Sequence, residues 1–359
     1  MINRISGEKG VETFRESTSS PELLSAIKVL KKELSSELVI LGHHYQRDDV
    51  LQFADITGDS LILSRKAAEM QKKHIVFCGV YFMAECADIL TEEDQAVYIP
   101  DLEAGCAMAD MAGRRQVEET WGKLTAVSDE TIIPVTYINS SADIKAFVGE
   151  RGGLVCTSSN AGPVFDRAME LGSKILFLPD RYLGANTALH KGMNKKQLWL
   201  LDRLPDRRQM KDIRVFLWDG YCSVHRQFRV EDVYRLRKEY PGIRIIVHGE
   251  CSEAVVQASD DFGSTSAIIQ QVSSAPAGSI WGVGTEEHLV RRLKKRFPDK
   301  TVLSLSGKGV QCTTMYRITP EKLQKTLQGI RDGSSTQRIR VNPEIKHYAK
   351  SALMRMLSL

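Results

Sequence analysis

The stretch VILGHHYQRDDVLQFADITGDS, residues 39–60, and its distant echo IIVHGECSEAVVQASDDFGSTS, residues 245–266, decide how the chain is read. Each opens on an apolar run that ends at a histidine, and each closes on a glycine followed by polar and hydroxyl residues. His43 stands 17 positions before Ser60, and His248 stands 17 positions before Thr265. Working outward, short apolar runs recur at 38–42, 75–80, 96–99, 132–138, 174–178, 214–218, 243–247, 279–283 and 301–305, separated by amphipathic segments. That is the pattern of parallel strands joined by helices, so the class is α/β. Several runs are continuously apolar, as strands covered by helices on both faces are.

The same punctuation recurs in a third copy between the two. Unit one continues through HIVFCGVYFMAECADIL (74–90) to AVYIPDLEAGC (96–106). Unit two runs IIPVTYINSSADIKAF (132–147), LVCTSSNAGPVFDRAMELG (154–172), KILFLPDRYLGANTAL (174–189) and RVFLWDGYC (214–222). Unit three continues through SIWGVGTEEHLVRRL (279–293) to TVLSLSGKGVQC (301–312). His43 precedes Cys106 by 63 positions, and His248 precedes Cys312 by 64. Unit two departs from this spacing, with Asn139 19 positions before Ser158 and 83 before Cys222; the excess lies in the polar stretch 190–211, which reads as an insertion. The expected division is an N-terminal extension 1–35, repeats at 36–129, 130–228 and 229–318, and a C-terminal helical extension 319–359.

Each unit carries three polar features at strand C-termini, the edge where open α/β sheets bind ligands. The first is His43 with His44 and Tyr45, then Tyr137 with Asn139, then His248 with Glu250. The second is a hydroxyl at a helix start: Ser60, Ser158 with Ser159, and Ser264 with Thr265. The third is a cysteine in a glycine-containing loop: Cys106, Cys222 and Cys312. Three such units facing one another about a pseudo-threefold axis would collect all nine features in one cavity.

Composition limits what such a cavity serves. The 359 residues carry 49 basic against 45 acidic side chains, a net charge of +4 in an even mixture, so no basic field points to nucleic acid or an anionic membrane. Small molecules are the expected partners. The first twenty residues lack the apolar core of a secretory leader and no run is long enough to span a bilayer, so a cytoplasmic protein is expected. Seven cysteines, an odd number widely spread, argue against a disulfide framework. Cys78, Cys86 and Cys156 sit in apolar segments and read as core, and Cys251 leans the same way. Cys106, Cys222 and Cys312, beyond strand ends and beside glycines, are poorer core candidates.

Three converging thiolates restrict a metal to zinc, copper(I) or an iron–sulfur cluster. Zinc sites usually include a closely spaced cysteine pair, whereas these three stand 116 and 90 residues apart; a cubane held by three cysteines leaves one iron open to act as a Lewis acid. The hydroxyls are ordinary capping residues taken singly, but three helix N-termini at one sheet edge suit a polyanionic substrate. His43, His248 and Glu250, with Tyr45 and Tyr137, offer proton transfer. Arg291, Arg292, Lys294, Lys295 and Arg296 read most simply as the exposed face of a helix.

The motifs GHHYQ (42–46), GDS (58–60), CGVYFMAE (78–85), AGCAMADM (104–111), TYINS (136–140), CTSSNA (156–161), GYCSVH (220–225), HGEC (248–251), GSTS (263–266) and CTTMYRIT (312–319) resemble those of the quinolinate synthase A family of bacterial de novo NAD biosynthesis. The resemblance covers about residues 36–330. It implies three αβα domains, each with a short parallel sheet, around a [4Fe–4S] cluster held by Cys106, Cys222 and Cys312. It also implies substrate positions at His43, Ser60, Tyr137, Asn139, Ser158, His248, Glu250 and Thr265, with Tyr45 in the pocket and acid–base roles for Tyr137, His248, Glu250, His43 and Tyr45. The expected reaction condenses iminoaspartate with dihydroxyacetone phosphate, and a transient contact with the oxidase that supplies iminoaspartate belongs to the same expectation. Another cluster-dependent hydro-lyase and a non-catalytic iron–sulfur sensor are the alternatives. Gly249, where the family often has proline, is expected to loosen the backbone between His248 and Glu250.

Overall fold

The structure, a computed structural model, describes residues 19–359; residues 1–18, half of the expected N-terminal extension and most of the stretch read for a leader, lie outside the described residues. The first unit contains β1 (Leu38–His43), β2 (Ile56–Gly58), β3 (His74–Cys78) and β4 (Ala96–Tyr98). The second contains β5 (Ile132–Tyr137), β6 (Leu154–Cys156), β7 (Lys174–Leu178), β8 (Leu198–Leu200) and β9 (Val215–Leu217). The third contains β10 (Arg244–His248), β11 (Asp261–Gly263), β12 (Ile280–Gly284) and β13 (Thr301–Ser304), and β14 (Arg338–Ile339) follows. The strand orders are β14-β4-β3-β1-β2, β6-β5-β7-β9-β8 and β11-β10-β12-β13. Apart from the added β14 and β8, the three sheets therefore share one order, and every described pair except β14–β4 is parallel. Three αβα units about a pseudo-threefold axis are the architecture. β1, β5 and β7 are buried along their whole lengths, which is why their sequences are continuously apolar.

Strand register identifies equivalent positions. His43 pairs with Gly58, Tyr137 with Cys156, and His248 with Gly263. Tyr137 therefore occupies the histidine column of the other units, and Asn139 occupies the column of Tyr45 and Glu250. The spacing of unit two measured from Asn139 was thus offset by two residues. The extra length behind Tyr137 lies in the connecting helix, which has 9 residues at Ala142–Glu150 against 4 at Asp48–Leu51 and 6 at Glu253–Ala258. The insertion at 190–211 contributes β8, an edge strand parallel to β9.

The repeat extends to single hydrogen bonds. Asp55 Oδ2 accepts from Ile40 N at 2.8 Å, and Asp260 Oδ2 accepts from Ile245 N at 2.7 Å, at equivalent places. In unit two that position of the first strand is Pro134, which has no N–H to offer. Gly153 stands opposite it, where a Cβ would lie 2.0 Å from the Pro134 carbonyl oxygen.

The first two units share one apolar core, whereas the two faces of the third sheet are covered by separate clusters centred on Ile245 and Val247 on one side and Ile246 and Trp281 on the other. The C-terminal extension is not purely helical: β14 edges the first sheet against β4, and helix Pro343–Leu357 packs on helix Ala142–Glu150 and β6 of the second unit. Helix Pro21–Glu33, begun by a Ser20 cap and Pro21, packs on helix Pro320–Arg331.

Candidate active site at the junction of the three units

The C-terminal ends of β1, β5 and β10 meet at a cavity of about 70 Å³. Its lining contains His43, Tyr45, Ser60 and Cys106 from the first unit, Tyr137, Asn139, Ser158 and Cys222 from the second, and His248, Glu250, Thr265 and Cys312 from the third. Twelve of the fifteen residues named in the three polar features thus lie in one place, four from each unit in the same chain order; His44, Ser159 and Ser264 do not line it.

The hydroxyl column stands at helix starts. Ser60 and Thr265 are the first residues of helices Ser60–Glu69 and Thr265–Ser274, while the caps themselves are Asp59, which accepts from Ile62 N at 3.0 Å, and Ser264, which accepts from Ala267 N at 3.2 Å. Ser158 precedes helix Ala161–Leu171 in a turn closed by Asn160, whose Oδ1 accepts from Thr157 N at 2.7 Å. Partial positive charge at these helix ends favours anions.

Each cysteine stands three residues before a 3₁₀ turn: Cys106 before Ala109–Met111, Cys222 before His225–Gln227, and Cys312 before Met315–Arg317. In all three the cysteine carbonyl accepts from the amide four residues on, at 3.3, 3.1 and 3.0 Å. Amides of the turn are directed at the sulfur, that of Ala109 at Cys106, His225 at Cys222 and Met315 at Cys312. Burial outweighs these donors and raises all three thiols, Cys106 to about 12; the neighbouring sulfurs add to the rise at Cys106 and Cys222. Three adjacent, partly buried sulfurs, each with an amide in place for negative charge, fit a soft cationic centre and are poorly suited to remaining thiols. The other four cysteines are fully buried, as core residues are.

A further residue, His225, was not singled out by sequence. Its Nδ1 lies 2.5 Å from Glu250 Oε2, and its ring stacks on His248 at 4.3 Å. Its Nε2 lies 3.1 Å from Thr285 Oγ1, which is 2.7 Å from the Tyr45 hydroxyl; Thr265 Oγ1 donates to that same hydroxyl at 2.9 Å. Cys222, His225 and Glu250 place ligand atoms within 4.8 Å of one another, a group with the residue types and spacing to hold a metal ion; His225 Nε2 faces Thr285, whereas its buried Nδ1 makes no regular hydrogen bond. Asp59 is a second such residue: its Oδ2 accepts from Ser159 at 2.7 Å and Ser266 at 2.6 Å, so one carboxylate joins all three units. The preference of aspartate for helix caps was the available signal for it; for His225 the only signal was its place in GYCSVH.

Electrostatics divide the site into donors and an acceptor. Burial holds His43 down to about 3, with His44 adding to the effect, so the imidazole is neutral; its Nδ1 accepts from Tyr45 N at 3.1 Å, leaving the proton on Nε2. Burial raises Tyr45 and Tyr137 well above the usual phenol range, the charge of Glu250 contributing at both. Burial opposes ionisation of Glu250, yet the facing His225 and His248 rings win and keep it ionised. Glu250 Oε1 and Asn139 Oδ1 are buried with no hydrogen-bond partner, an arrangement expected where a ligand completes the site.

Three expectations need correction. His44 does not share the cavity; it turns outward into a cleft between the first and third units, beside Asp48 and Arg292. Arg292 is no simple exposed side chain, since it donates to the carbonyls of His44 and Gln46 and pairs with Asp48. Gly249 is not loose: its N–H donates to Gly263 O at 3.0 Å and its carbonyl accepts from Asn186 at 2.9 Å.

Fold and site together define a three-unit α/β protein with a pseudo-threefold cavity that combines three thiols, helix N-termini bearing hydroxyls, and histidine, tyrosine and glutamate side chains. Comparison with known proteins narrows this class. The family profile described as Quinolinate synthetase A protein matches residues 25–358. A quinolinate synthase of Acidobacterium capsulatum is 48% identical over 93% of this chain and 92% of its own length. One from Streptomyces coelicolor is 47% identical over 98% and 92%, and one from Lysinibacillus sphaericus is 48% identical over 95% and 94%. The chain belongs to the quinolinate synthase A family.

Proposed function

We propose that the protein is a quinolinate synthase of NAD biosynthesis, condensing iminoaspartate with dihydroxyacetone phosphate to give quinolinate, phosphate and two waters. The observation that carries this reading is the convergence of three thiols with acid–base and hydroxyl groups, four residues from each unit, on one cavity. Cys106, Cys222 and Cys312 would hold a [4Fe–4S] cluster, whose open iron supplies Lewis acidity toward a substrate oxygen or nitrogen. Both substrates are anionic. Ser60, Asn139, Ser158 and Thr265 would orient their phosphate and carboxylates against the helix ends. Glu250, ionised and with one free oxygen, would accept a carbon-bound proton. Tyr137, held as a phenol, and His248 beside Glu250 would return protons to departing oxygens, while His43 and Tyr45 donate hydrogen bonds to the bound carbonyl. His225 would orient Glu250 and fix the His248 ring.

The same reading takes residues 36–129, 130–228 and 229–318 as the three domains, with extensions at 1–35 and 319–359. No helix among the described residues is long and apolar enough to cross a membrane. Seven unpaired cysteines suit a reducing compartment such as the cytoplasm, where contact with the oxidase that releases the unstable imine would be of use. The test is iron and acid-labile sulfide analysis of anaerobically purified protein, with a quinolinate assay on the same sample. Four irons and four sulfides per chain are expected, lost together with activity in Cys222→Ser. Activity retained by that variant would overturn the cluster reading, and a product other than quinolinate would favour a different hydro-lyase.

A further inference from the structure

The loops that follow β1, β5 and β10 carry the acid–base residues, and each is held from outside the cavity by the neighbouring unit. The three helices after β3, β7 and β12, Tyr81–Leu90, Arg181–His190 and Glu287–Arg296, are all 10 residues long. Their sixth residues are Cys86, Asn186 and Arg292. Arg292 of the third unit donates to His44 O at 2.6 Å and Gln46 O at 2.7 Å in the first unit, and pairs with Asp48. Asn186 of the second unit donates from Nδ2 to Gly249 O at 2.9 Å and Cys251 O at 2.8 Å in the third. His44 and Gln46 correspond to Gly249 and Cys251, since each pair follows the histidine of its own strand by one and three residues. One helix position therefore grips the same two carbonyls at two interfaces. At the remaining interface Cys86 of the first unit is too short to reach. There the buried Lys145 of the second unit itself, beside the Cys86 thiol of the first, donates to Ser140 O, the corresponding carbonyl, and the contact across the interface is Glu85 of the first unit accepting from Ala142 N at 3.1 Å. The direction is cyclic: unit one holds two, two holds three, and three holds one.

We propose that Asn186 and Arg292 are positioning residues that make assembly of the active site conditional on docking of the units. When the third unit docks, Arg292 fixes the turn that sets His43 and Tyr45, and Asn186 fixes the turn that sets His248 and Glu250. Without these donors the loop carbonyls turn toward water, and the acid–base groups lose their mutual alignment although every one of them is still present. Neither residue lines the central cavity. Gly249 fits this scheme: a flexible residue is tolerated because its peptide is held from both ends.

The proposal rests on the quinolinate synthase reading for its kinetic consequence, and on geometry alone for its structural one, so the test has two arms on the anaerobic, cluster-loaded protein. Hydrogen exchange is followed in peptides covering 43–47 and 248–252 of the parent, Arg292→Ala, Asn186→Ala and Asn186→Asp, the last preserving shape while removing the donors. Arg292→Ala should speed exchange in 43–47 and leave 248–252 unchanged, and the Asn186 variants should do the reverse. In the quinolinate assay kcat should fall about 10- to 100-fold with KM altered less than about threefold, as misplaced catalytic groups require. Arg292→Lys, which keeps one donor, should recover part of the loss. Equal loosening of both segments, or no change in either, would overturn the proposal; so would kcat within about twofold of the parent in a variant whose loop has loosened. Absence of quinolinate from the parent itself would count against the proposed reaction, and the crossed exchange pattern would still decide the clamp.

Discussion

Asp59 is the residue on which all three units converge, and its two serine donors come from different units. Hydrogen bonds to a charged acceptor contribute about 1.5–3 kcal/mol each. Asp59→Ala should therefore lower stability by about 2–4 kcal/mol once the released serines find water. Chemical denaturation checks this, and an unchanged midpoint would remove Asp59 from the interface account. His43 gives a second expectation. The folded protein holds it neutral down to about pH 3, whereas an exposed imidazole takes up a proton near its ordinary value of 6.5. Between these values the unfolded chain binds more protons, so this contribution is complete above pH 6.5 and is lost as pH falls toward 3. Denaturation midpoints at pH 7.5 and 5 should differ less in His43→Gln than in the parent. An equal slope would mean that His43 is not buried as described.

At the scale of elements, the cysteine turns are the feature that ties the repeat to the proposed cluster. Gly220 lies two residues before Cys222, and a Cβ there would stand 2.3 Å from the Pro179 carbonyl oxygen. Gly220→Val should therefore displace the Cys222 turn, giving folded protein with substoichiometric iron; full iron content would show that the turn does not need that close approach. The same scale shows what was legible from sequence. Central strands such as β1, β5 and β7 are long, apolar and buried on both faces, and their runs announce them. Edge strands β2, β6, β8 and β11 have 3 residues each, too few to display a period, and β14 has 2. The cysteine column was legible because thiols are scarce and stand beside glycines. His225 and Asp59 were not, because their importance lies in partners 25 and 100 or more positions away. Arg292 was misread because a basic helix face looks the same whether it meets solvent or another unit's carbonyls.

Across the whole molecule, the first two units are joined by a common core, while the third sheet is covered by two separate clusters that Val224 and Phe228 of the second unit and Tyr45 of the first join or pack on; polar contacts such as Arg292–Asp48, Asn186–Cys251 and Lys195–Glu253 also cross to it. An interface of this mixed kind opens at lower cost than a continuous apolar core. The third unit should accordingly rotate as a body when substrate enters or product leaves, with the first two moving together. Crystals with and without bound quinolinate test this: a changed angle confined to the third unit is expected, and a hinge between the first two units would contradict it. In the proposed reaction, closure would complete the cavity and shield an easily hydrolysed imine from water. The proposed reaction is tested most directly by an assay in which anaerobic, cluster-loaded protein is given iminoaspartate and dihydroxyacetone phosphate and both quinolinate and phosphate are measured. Equal amounts of the two, formed over many turnovers, are predicted. Protein with a complete cluster that yields neither would contradict the account.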